Sequence, residues 1–292
     1  MEKVCGSDKN FEITLLPHFF AQALKDPVSL TSQQYTMLGL ANVCAWIAYT
    51  IYDDFLDCKG KPTHLPIANT ALRASLSCFR ALSAQDTIQR YVAGIFKAMD
   101  EANSWEVNYC RFAVQAERVT ITDLPYYRTG AMLAARSFAH ALAPMVILAQ
   151  TSHGSPRARY IESGFRHYLI AWQLDDDMRD WQEDMQAGQA SYVVTAILRD
   201  MRMKPGEYSL HALLSTMQKY FRLTTMPKVS WRILRHIDMS RRAFAKSQLL
   251  RPSNDIYALL DGIEQSVDHS LDKRAKMQAL MRTPANQLRV SS

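Results

Sequence analysis

Apolar residues recur at helical spacing through most of this chain, and short polar interruptions divide the pattern into segments of helix length. The interruptions are CKGKPTHLP (58–66), TSHGSPR (151–157), MKPGEY (203–208) and RPSND (251–255). Their Gly, Pro, Ser and Asn residues suit loops between packed helices. One segment departs from the amphipathic pattern. From Tyr35 to Tyr52 no side chain is charged, and Asp53, Asp54 and Asp57 then follow together in YDDFLD. A second apolar run, YLIAWQL, leads into DDMRD, so the spacing DDxxD occurs at 53–57 and again at 176–180.

Composition agrees with helices. Ten glycines and eleven prolines in 292 residues, with 48% hydrophobic residues, predict an all-α fold with a sizeable core and few strands. No linker divides the chain, so one domain is expected over 1–280, with 281–292 as a flexible tail. The Tyr35 to Tyr52 stretch is nearly long enough to span a bilayer, but it holds Asn42 and ends in carboxylates with no basic flank. It reads as a buried core helix, and no stable membrane insertion is expected.

MEKVCGSDKNFEITLLPHFF lacks the basic start, apolar core and cleavage site of a secretion signal. The five cysteines form no CxxC pair, which argues against a zinc site or disulfide framework and suits a cytoplasmic protein. A net charge of +6 suits an anionic partner. Because no block of Lys and Arg interleaves with aromatics, nucleic acid is not that partner.

The acidic clusters suggest the chemistry. On a helix, residues four apart share a face, so Asp53 with Asp57, and Asp176 with Asp180, each present two carboxylates together. Their repulsion is relieved if a cation lies between them. Hard oxygen ligands without His or Cys select magnesium or manganese. Magnesium takes one or two carboxylates and completes its shell with water and phosphate, so two facing clusters would hold several ions around a diphosphate. A single DDxxD is more often a solvated helix end, but two behind uncharged helices favour metal binding. One and two turns before Asp53 come Tyr49 and Ala45 or Trp46, placed to line a cavity for a hydrocarbon tail.

Around the second cluster, AWQLDDDMRDWQEDMQAGQASYVV resembles the corresponding helix and loop of trans-isoprenyl diphosphate synthases. Gln173, Asp176, Asp177 and Asp180 match directly. In the loop that follows, Asp184 and Ser191 match, and Gln189 stands where a diphosphate-binding Lys is usual. YRTGAML is similar to the family's KTG motif, with Arg128 for its Lys, followed by Thr129 and Gly130. KGKPT is similar to RRGxPT, with Lys59 at the second Arg.

The resemblance implies a helical bundle of the class I isoprenoid synthase type around a central cavity, and a homodimer. It implies three magnesium ions: Asp53 and Asp57 sharing two, Asp176 anchoring a third, and Asp180 acting through water. With Asp54 and Arg128, these aspartates would form the catalytic set. Lys59, Arg128, Thr129, Gln173 and Gln189 would bind diphosphate. Tyr49, Trp46, Tyr52 and Trp172 would bind the tail, with bulky Tyr49 limiting it to C10 to C20. Of Tyr49, Tyr52, Phe138, Phe165, Tyr168 and Trp172, two are expected at the cavity and the rest in the core. His140 and His167 read as core or surface residues, and Asp175 as a solvated neighbour or spare ligand.

The chain departs from the family where isopentenyl diphosphate binds. No GGKRxRP precedes Asp53, and the arginine pair after the first cluster is replaced by Cys58 and Lys59. The expected function is therefore magnesium-dependent ionisation of an allylic prenyl diphosphate followed by cyclisation or water capture, as in a class I terpene synthase. The alternative is a trans-prenyl diphosphate synthase that condenses the allylic diphosphate with isopentenyl diphosphate. A head-to-head condensing enzyme is disfavoured because its motifs are spaced DxxxD, and a silent partner subunit because both clusters are kept.

Overall fold

The computed structural model describes residues 12–26, 28–56, 59–82, 86–127, 130–151, 156–252 and 254–282. Helices occupy the periodic segments: α1 (Glu12–Ala23), α2 (Ser32–Leu56), α3 (Leu65–Leu82), α4 (Asp86–Tyr109), α5 (Ala131–Ser137), α6 (Leu142–Thr151), α7 (Ala158–Gln186), α8 (Tyr192–Asp200), α9 (Leu210–Tyr220), α10 (Met226–Ser247) and α11 (Asp255–Arg282). This is the all-α bundle expected. α11 continues to Arg282, past the start of the expected tail at 281, and residues 283–292 lie outside the described residues.

α2 begins in a capping box. Thr31 Oγ1 accepts from the Gln34 amide at 3.2 Å, and Gln34 Oε1 accepts from the Thr31 amide at 2.8 Å. The helix has no charged face because two apolar layers sandwich it. Leu38, Ala41 and Ala45 enter the main core, while Ile47 and Ile51 meet Ala68 of α3 in a satellite cluster. Among the described residues one stretch, Ala131–Gln150, is long and apolar enough to cross a membrane, yet most of it is buried inside the fold. It is broken into α5, a 3₁₀ turn (Phe138–Ala141) and α6.

The long α7 packs along α10. Ile161, Phe165, Leu169, Leu174 and Met178 recur at the spacing of one helical face and meet Val229, Ile233, Ile237 and Phe244. The two backbones come close at Gly164, where a Cβ would lie 2.3 Å from the Phe244 ring, and Ser240 Oγ donates to the Gly164 carbonyl at 2.8 Å.

A three-stranded antiparallel sheet, absent from the sequence-based expectation, joins β1 (Ala113–Gln115), β2 (Arg118–Ile121) and β3 (Gly206–Ser209) in that order. Val119 pairs with Val114 on one side and with Tyr208 on the other. Ala116 and Glu117 make the hairpin turn with φ of 46° and 63°. Such a two-residue turn usually carries Asn-Gly or Asp-Gly, so Ala-Glu at this position carries no hairpin signal.

Candidate functional site

The end of α2 and the middle of α7 face each other across two adjoining cavities. One, of about 160 Å³, is lined by Ala45, Trp46, Tyr49, Met99, His140 and Trp172. The other, of about 180 Å³, is acidic and takes in Lys59, Glu106, Asp177, Asp180, Glu183 and Asp184. Asp53, Arg136, Gln173 and Asp176 line both, so they mark where the hollow, which mixes aromatic and polar walls, adjoins the acidic mouth.

Arg136 of α5 is the hub. Its Nη2 donates to Asp53 Oδ1 at 2.8 Å, and its Nη1 lies 2.6 Å from Oε2 of the buried Glu106 on α4. Arg111 Nη2 lies 3.7 Å from the other Glu106 oxygen. These carboxylates hold the Arg136 charge above its already high pKa despite burial, so it is permanently cationic.

On α7, neighbouring aspartates do different work. Asp177 is buried, accepts from Gln173 Nε2 at 3.0 Å and, through its other oxygen, from the Tyr192 amide at 3.0 Å. It therefore caps the first turn of α8. Burial pushes its pKa up to about 7, against the Gln173 hydrogen bond and the Arg136 charge. At its other end, α8 is held by Asp200, which accepts from Thr225 Oγ1 at 2.7 Å and Lys228 Nζ at 2.6 Å. Asp176 is raised chiefly by desolvation, opposed by Arg179, with Asp180, Asp175 and Asp53 adding repulsion. Asp53 thus acts electrostatically on Asp176 across the mouth.

The loop from α7 to α8 folds back on Gly188, which has φ +74° and where a Cβ would meet the Phe112 carbonyl at 2.4 Å. Only glycine fits there, and the turn places Gln189 and Ser191 in the wall of the mouth. Ser191 Oγ is buried with no hydrogen-bond partner among the described residues.

Among the residues singled out from the sequence, Asp53, Asp176, Asp180, Lys59, Gln173 and Gln189 line the acidic mouth, and Tyr49, Trp46 and Trp172 line the hollow. Asp54 is exposed and lines neither; its carbonyl accepts from the Lys59 amide at 2.8 Å. Tyr52 turns away toward α3, its hydroxyl donating to Asn69 at 2.7 Å. Asp57, Arg128 and Thr129 lie outside the described residues.

Of the six aromatics considered, Tyr49 and Trp172 reach the hollow, whereas Phe138 and Phe165 are buried in the core. His140, expected in core or surface, lines the hollow edge-on to Trp172 with ring centroids 5.6 Å apart. Asp175 is neither solvated nor a spare ligand. It is buried and accepts from Ser266 of α11 at 3.1 Å. Sequence reading missed Arg136 and Glu106, although Arg136 is the one formally charged residue between Ala131 and Gln150, and a cation in so apolar a run needs a buried partner.

The donor set can be tested against divalent metal. Among the described residues no three His, Cys, Asp or Glu side chains converge on one point. Magnesium does not require that, since it takes one or two carboxylates and fills its shell from water and phosphate oxygens. Asp53, Asp176 and Asp180, with the unpartnered Ser191 hydroxyl in the same mouth, therefore suit it in chemistry.

No family model and no curated protein matches this sequence. Solved structures do. A geranylgeranyl pyrophosphate synthetase from the archaeon Geoglobus acetivorans superposes with a TM-score of 0.63 at 12% identity, covering 88% of this chain and 83% of that one. A decaprenyl diphosphate synthase from Rhodobacter capsulatus gives 0.63 at 12% identity, covering 89% and 85%. The chain thus has a trans-isoprenyl diphosphate synthase-like fold.

Proposed function

We propose that the protein is an enzyme that binds an allylic prenyl diphosphate, with the diphosphate in the acidic mouth and the hydrocarbon in the hollow, and promotes loss of the diphosphate. One observation supports this reading: the two cavities share Asp53, Arg136, Gln173 and Asp176, so a charged head in the acidic mouth would lie beside a tail in the hollow lined by Trp46, Tyr49 and Trp172.

Within it, Arg136 and Lys59 bind the departing oxygens by charge-assisted hydrogen bonds, with Arg128 as a third donor carried over from the sequence motif. Asp53, Asp57 and Asp176, with Asp180 through water, would hold magnesium, or manganese, which when bound would supply Lewis-acid stabilisation to the leaving group. Gln173 and the α8 amide fix Asp177, which keeps the α7 carboxylates in register. Tyr49 and Trp172 line the space where positive charge develops and screen it from water. A desolvated aromatic face stabilises such charge by about 1–2 kcal/mol. A homodimer belongs to the same reading.

Two fates for the cation follow. Both similar structures are named as prenyl diphosphate synthases, which supports condensation with isopentenyl diphosphate. A specific observation favours the second fate, cyclisation or water capture. Among the described residues Lys59 and Arg136 are the only cations lining the two cavities, few for two diphosphates.

Purified protein with magnesium and farnesyl or geranylgeranyl diphosphate, with and without isopentenyl diphosphate, separates them. A longer prenyl diphosphate formed only when isopentenyl diphosphate is added establishes condensation. A hydrocarbon or alcohol from the single substrate establishes cyclisation or capture. Asp176→Ala should lower turnover at least a hundredfold in either case, and unchanged turnover would overturn the site.

A further inference from the structure

A third cavity, sharing no lining residue with the two above, lies between α9, the π-helical turn Phe221–Thr225, α10 and α11. Its volume is about 330 Å³, within the range of small-molecule sites. Phe221, Leu223, Met226 and Met277 give it an apolar interior, and its charged lining is wholly cationic: Lys219, Arg222, Lys273 and Arg274. No carboxylate pairs with any of the four among the described residues.

The site is built rather than incidental. Arg274 reaches over from α11 and donates to two carbonyls of the π turn, Arg222 at 2.7 Å and Leu223 at 3.3 Å. Arg222 Nη1 lies 3.4 Å from Met277 Sδ, closing the groove from the other side. Leu223 is left 64% exposed at the opening. A π turn is uncommon, and its wider ring presents carbonyls that an ordinary helix would keep in its own ladder.

We propose that this groove binds a single-chain anionic amphiphile, its hydrocarbon along Phe221, Leu223, Met226 and Met277 and its carboxylate or phosphate head against Lys219 and Lys273. Charge complementarity selects the head: an uncharged tail would leave four cations without a counter-charge. The concave shape selects a free single chain over a membrane surface, because one large apolar side chain, Leu223, stands out at the opening.

Titration calorimetry of the full chain with dodecanoate, in EDTA so that metal-dependent binding in the acidic mouth does not contribute, tests the assignment. The expected result is one saturable site, with dodecanol and inorganic phosphate each at least tenfold weaker. Met277→Trp should abolish binding by filling the groove. Leu223→Glu, at an exposed position that does not threaten folding, should weaken it about tenfold by removing an apolar contact and setting a carboxylate against the hydrocarbon. Absence of dodecanoate binding, equal affinity for dodecanol, or unchanged affinity in both variants would overturn the proposal. So would binding seen only to phosphatidylglycerol vesicles, which would mark a membrane-facing patch instead. Neither outcome depends on turnover, so this site can fail while the prenyl diphosphate reading stands, and the reverse.

Discussion

Arg136 shows what a single buried charge demands. Its guanidinium is neutralised from two helices at once, by Asp53 and by the nearly inaccessible Glu106. Arg136→Met keeps the shape and leaves Glu106 buried without its partner, which should cost about 3 kcal/mol in urea denaturation. Adding Glu106→Gln should recover part of the loss, because the orphaned charge then disappears. His236 offers a second test. It is buried on α10 with its Nδ1 3.0 Å from that of His167, and desolvation, with His167, Arg232 and Arg235 nearby, lowers its pKa to about 4. The folded state therefore binds fewer protons there than the unfolded state, whose histidine titrates near 6.5. Its contribution is complete above that pH and declines on acidification, by at most about 1.4 kcal/mol per pH unit, until pH passes the folded value. The stability difference between wild type and His236→Gln, measured by denaturation from pH 7.5 down to about 4.5, should shrink accordingly. A flat difference would show that the histidine is not held neutral by burial.

Among helices and loops, legibility followed how local the cause was. The four interruptions and the long apolar segments were readable because loop chemistry and helical periodicity are properties of neighbours in sequence. Asp53, Tyr49 and Trp46 could be placed together for the same reason, since they lie one and two turns apart on α2. Tyr52 failed to join them because the face it occupies is covered by α3, a tertiary fact. Arg136 and Glu106 stayed hidden because α5 and α4 supply them from outside both acidic motifs. The small sheet was missed because its turn uses Ala116 and Glu117, residues with no preference for left-handed backbone. Where α7 crosses α10, packing is close enough to forbid a methyl group at residue 164. Gly164→Ala would bring Cβ to 2.3 Å from the Phe244 ring and should destabilise the protein by about 1–3 kcal/mol, read from the thermal midpoint.

For the whole molecule, the arrangement of helices was legible from two short acidic motifs and their order, while the fate of a substrate was not. The sequence favoured a one-substrate reaction because motifs for a second diphosphate are missing, whereas the structural likeness lies with prenyl diphosphate synthases. Both readings share a demand for metal and diphosphate together. Magnesium with inorganic diphosphate should therefore raise the unfolding temperature, by an amount equivalent to about 2.7 kcal/mol at a hundredfold excess over Kd. Asp176→Ala should abolish the shift, and magnesium alone should give little of it, because among the described residues no three carboxylates converge on one point and phosphate oxygens would complete the shell.

The nine residues of α8 have a further consequence. The helix is about 13 Å long, fastened at one end by a carboxylate in the wall of the acidic mouth and at the other by one bonded to the π turn. It behaves as a tie rod between the two chambers. One short helix thus joins the wall of the acidic mouth to the segment that frames the cationic groove.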